Sequence, residues 1–100
     1  MASVFGPATS GEKTVTTAGT AEALDTSTPR ILYRALSITA KVGNTGQVYV
    51  GGSDVDDTVN DGLDAGETVE FATHAHEFNL DQVFIDVDTN GEGVDYYAAS

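Results

Sequence analysis

The most recognisable chemical spacing in the chain is Asp86, Asp88 and Asn90, followed at once by Gly91. Alternate carboxyl and amide oxygens that converge ahead of a Gly-permitted sharp turn form the first half of a calcium loop. The twelfth position of that pattern, where a bidentate Glu belongs, holds Tyr97. The same residues also make a plain Asn-Gly hairpin with acidic outward positions, and the missing ligand favours that reading. A second acidic cluster, Asp54, Asp56, Asp57, Asp61 and Asp64, could hold a hard cation loosely, but it follows no complete ligand pattern and equally suits a solvated loop. His74 and His76 lie two apart beside Glu77, half of a zinc site with no third ligand at recognisable spacing.

Other catalytic constellations do not assemble. No nucleophile-elbow sequence surrounds any Ser, and with no Cys there is no thiolate nucleophile or disulfide framework. Gly51-Gly52 and Gly91-x-Gly93 precede no helix, so neither reads as a phosphate cradle. Tyr33, Tyr49, Tyr96 and Tyr97 offer rings on which a sugar could stack, although Tyr in strands commonly serves as half-buried structure. The chain reads as non-enzymatic.

Any such site must be carried by short β elements. Lys13–Thr17 is Thr- and Val-rich and suits an edge strand, and a second short strand is expected over Ala21–Leu24. Pro29 disfavours a helix ahead of Arg30–Val42, the longest strand-like run. There Leu32, Leu36, Ile38, Ala40 and Val42 share one parity, with Arg34 interrupting, whereas Ile31, Tyr33 and Ala35 hold the other. That predicts a bulge or a change of sheet near Arg34-Ala35, or a strand buried on both faces. Asn44-Thr45-Gly46 suits a tight hairpin at positive φ, leading to a strand over Gln47–Val50 with Val48 and Val50 inward and Tyr49 outward. A polar loop follows, then a turn at Asp64–Glu67 and a strand with Val69 and Phe71 inward. Val83, Ile85 and Val87 alternate with Phe84, Asp86 and Asp88, and Asn90-Gly91 is read as the hairpin before a last strand carrying Val94, Tyr96 and Ala98. The expectation is a single all-β domain, an antiparallel β-sandwich of about seven short strands over residues 12–100, with residues 1–11 as an extended arm.

Composition limits the partners. Thirteen of the 16 Asp and Glu residues lie after position 41, where there is no Lys or Arg, and the formal net charge is −12. Such a surface repels nucleic acid phosphates and anionic lipid, so neither is expected as a partner. No run approaches the roughly 18–20 apolar residues of a membrane span, and Met1–Gly11 lacks the basic and apolar regions of a secretory signal. All four basic residues fall in the first 41 positions. This suggests a two-sided module whose N-terminal part, through Val4, Phe5, Lys13, Arg30 and Arg34, docks on a partner while the acidic remainder faces solvent.

Four phrases in order carry a family resemblance: Arg34–Ala40; Asn44-x-Gly46-x-Val48-Tyr49-Val50-Gly51-Gly52; Leu63-x-Ala65-Gly66-Glu67; and Val83–Asp86 continuing through Gly91-Glu92-Gly93-Val94-x-Tyr96. Together they resemble small virion structural proteins of tailed bacteriophages over residues 14–98. The resemblance implies a β-sandwich virion component without catalytic residues. Foremost it implies a capsid decoration, or cement, protein on the outer head surface, expected to bind the major capsid protein and to assemble as a homo-oligomer such as a trimer. The alternative is a tail, baseplate or fibre module that contacts another virion protein or a host glycan. No cofactor is implied, and calcium is the only ion the residues suggest.

Overall fold

The computed structural model describes residues 8–26, 33–58, 61–72 and 78–99. Within them lie seven strands: β1 (Ala8–Thr14), β2 (Glu22–Ala23), β3 (Ala35–Ala40), β4 (Val48–Gly51), β5 (Thr68–Ala72), β6 (Phe84–Val87) and β7 (Gly93–Ala99). A 3-10 turn, Leu80–Gln82, precedes β6. The strands form two antiparallel sheets, β1-β7-β3-β5 and β2-β6-β4. The fold is the expected all-β sandwich. No helix among the described residues is long and apolar enough to cross a membrane.

Odd-numbered strands build one sheet and even-numbered strands the other, so each connection between successive strands crosses the sandwich. Consequently neither expected hairpin exists. Asn44-Thr45-Gly46 links β3 to β4, and Asn90-Gly91 links β6 to β7, and in both cases the flanking strands belong to opposite sheets. Asn44 and Thr45 have no positive φ, contrary to the tight-turn expectation, whereas Gly91 does (φ 84°). The chain turns where the sequence says it turns. It does not pair with the strand it has just left.

Strand alternation supplies the core. Leu36, Ile38 and Ala40 of β3 and Val94, Tyr96 and Ala98 of β7 meet Val48 of β4 and Ile85 and Val87 of β6 between the sheets. Val15, Leu24, Tyr33 and Leu80 close its ends. The parity change expected near Arg34-Ala35 is present: Tyr33 and Leu36 are both buried, with the two residues between them exposed. Tyr33 exchanges two backbone hydrogen bonds with Phe78 (2.7 and 2.9 Å), and the Arg34 N–H then donates to the Ala99 carbonyl (3.0 Å). The chain changes neighbours within one residue, which shifts its inward parity.

Other boundaries move. The edge strand begins at Ala8 rather than Lys13, so Ala8–Gly11 belong to β1 and not to an arm. β3 stops at Ala40 because the Asn44 N–H closes a turn on the Lys41 carbonyl (3.0 Å), which leaves Val42 83% exposed instead of inward. Phe71, opposite buried Leu36, does face inward, but β5 is an edge strand and the ring stays 40% exposed.

Candidate functional site

Asp86, Asp88, Asn90 and Glu92 occupy alternate positions along the end of β6 and its connection to β7. Each accepts hydrogen bonds from another segment. Asp86 Oδ1 accepts the Gly19 N–H (2.9 Å), as well as that of Val87 (2.8 Å). Asp88 accepts the Gln47 N–H (3.0 Å) on one oxygen and the Tyr49 hydroxyl (2.9 Å) on the other. Asn90 Oδ1 accepts the Ala18 N–H (2.7 Å). Glu92 receives the N–H groups of Thr45 (2.8 Å) and Gly46 (3.0 Å) together with the Thr45 hydroxyl (3.0 Å). Asn44 completes the contact by donating its side-chain amide to the Gly93 carbonyl (2.8 Å). The spacing that resembled half a calcium loop therefore serves as a row of acceptors. It ties the β1–β2 and β3–β4 connections and strand β4 to one end of the sandwich.

Electrostatics agree with that role. The Gly46 and Thr45 amides hold the Glu92 carboxyl below its ordinary range, because their hydrogen bonds favour its charged form. Burial, then the hydrogen bond to Asp88, pushes the Tyr49 phenol up to about 12. Tyr49 and Asp86 sit opposite each other on the face of their sheet that points away from the core. Both are nonetheless buried, at 6% and 2% exposure. The loop around Gly62 packs on the Tyr49 ring and the Gly19 turn covers Asp86, so the expected outward, solvated positions lie under a roof of connections. Asp56, Asp57, Asp86 and Asp88 line a shallow hollow there of about 350 Å³. Among the described residues, no group of three or more His, Cys, Asp or Glu is placed to hold a metal ion. In the 54–64 cluster, Asp56 binds the N–H (2.8 Å) and hydroxyl (2.6 Å) of Thr58, and Asp64 accepts the Gln47 side-chain amide (2.9 Å).

The basic residues are also engaged in the fold. Lys13 of β1 pairs with Glu22 of β2 (2.9 Å), a bridge from one sheet to the other at the open side of the sandwich. The Lys13 ammonium, and after it the Thr16 N–H, lowers the Glu22 carboxyl. A charge on the inward side of an edge strand discourages edge-to-edge pairing. Lys41 bridges Asp95 (2.8 Å) and Glu12 (3.2 Å), which raises its ammonium, Asp95 most strongly. Arg34 is exposed at the start of β3. Val4, Phe5 and Arg30 lie outside the described residues, as do His74, His76 and Glu77. Lys13 is thus a structural cation, and of the proposed docking set it and Arg34 are the two that lie among the described residues.

Of the four tyrosines offered as stacking rings, Tyr33, Tyr49 and Tyr96 are buried and Tyr97 is exposed. It stands on the outer face of the four-stranded sheet, opposite Ser10 and Ser37, and is 55% exposed. Small residues, Ala35, Ser37 and Ala99, leave beside it a depression of about 250 Å³, rimmed by Glu70 and Phe71. The available signal was parity: with Tyr96 inward, Tyr97 had to be outward. Comparison with protein-family models, characterised proteins and solved structures returns no match.

Proposed function

We propose that this chain is a non-enzymatic structural protein of a tailed-bacteriophage virion, a decoration protein bound to the outside of the head. The reading rests on the ordered resemblance over residues 14–98. The observation in the fold that supports it most is the outer face of the β1-β7-β3-β5 sheet. There small side chains beside exposed Tyr97 leave a depression with a largely apolar lining. Many copies of a small domain with such a face sum modest contacts by avidity. The partner is the major capsid protein, and the assembly a homo-oligomer, with a trimer at local threefold positions as the working arrangement.

Purified expanded heads mixed with the protein should bind it at a fixed number of copies per capsomer. A chain that ignores heads but labels tails would overturn this reading. It would favour a tail, baseplate or fibre module, for which exposed Tyr97 offers a stacking ring for a host glycan. The contribution of Val4 and Phe5 is tested by deleting residues 1–7. A deletion through residue 11 would also remove half of β1 and confuse docking with unfolding.

A further inference from the structure

Asn90-Gly91 is the single Asn-Gly pair in the chain, and it lies exposed in the turn between β6 and β7. In a free chain, the backbone nitrogen after an Asn can attack the side-chain amide carbon, and a following Gly places no Cβ in the way. Here both reactants are restrained. The Gly91 N–H donates to the Val15 carbonyl at 2.7 Å, and Asn90 Oδ1 accepts the Ala18 N–H at 2.7 Å. The first bond favours the protonated nitrogen, which is not the nucleophile. The second fixes the side chain that would have to rotate onto it. Both restraints come from one segment, the connection between β1 and β2.

We propose that Asn90-Gly91 is a latent self-modification site, closed by the β1–β2 connection and opened when that connection lifts. In the reaction, the Gly91 nitrogen gives up its proton and bonds to Asn90 Cγ. The Cγ–Nδ2 bond breaks, and Nδ2 leaves as ammonia with that proton, closing a succinimide. Water then opens the ring at either carbonyl, giving Asp or isoaspartate and one further negative charge. An Asp at position 90 still offers Ala18 an acceptor. Isoaspartate adds a methylene to the backbone, so Gly91 no longer registers on Val15, nor Glu92 on Thr45 and Gly46. A chain left unfolded long enough is thereby marked and hindered from regaining the native turn.

The test is peptide mass mapping of the full chain held at mildly alkaline pH, across guanidinium concentrations that span its unfolding transition. In the unfolded chain, the peptide containing residue 90 should gain about one dalton and yield isoaspartate. In buffer the rate should be at least about tenfold lower and should follow the fraction unfolded, as expected when opening precedes reaction. Equal rates in buffer and denaturant, or an Asn90 that survives denaturant intact, would overturn the proposal. Ala18→Pro removes one restraint. If it retains the β spectrum, it should deamidate several-fold faster than the parent in buffer, and a folded variant with the parent rate would sink the role given to Ala18. The denaturant series decides the proposal without that variant.

Discussion

Glu92 holds a connection by three hydrogen bonds from two consecutive residues, and this makes its charge a condition of the native turn. Its folded value lies below that of a free carboxylate, and so does that of Glu22, which Lys13 holds. A group depressed in this way contributes stability that is fully present above about pH 4.5 and is lost as pH falls through the folded value. Thermal melting followed from pH 7 downward should therefore show a midpoint that declines below about 4.5. Glu92→Gln should melt lower than the parent at neutral pH and lose part of that decline. A variant profile parallel to the parent's would show that the latch is not the titrating element. Asp86 and Asp88 illustrate how residue type alone misleads: acidic, alternate and outward by parity, they resemble ligands or solvated positions. Which one they are depends on loops from distant parts of the chain.

At the scale of elements, the inward faces were legible and the partners were not. Leu36, Ile38 and Ala40, and again Val94, Tyr96 and Ala98, are buried as period-two alternation requires. The irregularity at Arg34-Ala35 was legible as well, because Tyr33 breaks the parity of Leu36. Turn chemistry at Asn44–Gly46 and Asn90-Gly91 states that the backbone bends. It says nothing of which strand lies across, and here the answer is always one from elsewhere in the chain. Close approach fixes one such pairing: β1 passes so tightly over Gly93 that a Cβ there would collide with the Lys13 carbonyl. Overpacking against backbone admits little relief. Gly93→Ala should destabilise the protein by about 3 kcal/mol or more, measured by denaturant unfolding, and should loosen β1 amides first in hydrogen exchange. A loss below about 0.5 kcal/mol, typical of an unconstrained surface site, would refute the tight packing.

For the whole molecule, the division of charge along the sequence is not kept in the strand order of the larger sheet. β1 and β3, from the more basic part, alternate in one sheet with β5 and β7 from the acidic part, so the expected basic and acidic sides interleave. Charge along a chain maps onto faces only when neighbours in sequence are neighbours in the fold. The same strand order governs folding. Since no strand among the described residues pairs with its successor, loop closure must precede each of their ladders. Refolding monitored by stopped flow should take about milliseconds to seconds or longer, within one cooperative transition. A microsecond phase that recovers most of the native signal would contradict it. A mechanical consequence follows from the register that sets Ala8 against Ala99. The chain enters and leaves the sandwich at one corner, on adjacent antiparallel strands. A load applied between these two points would peel β1 from β7 one hydrogen bond at a time, instead of shearing the whole ladder at once. The domain should yield to tension between its ends at low force, however well it resists heat.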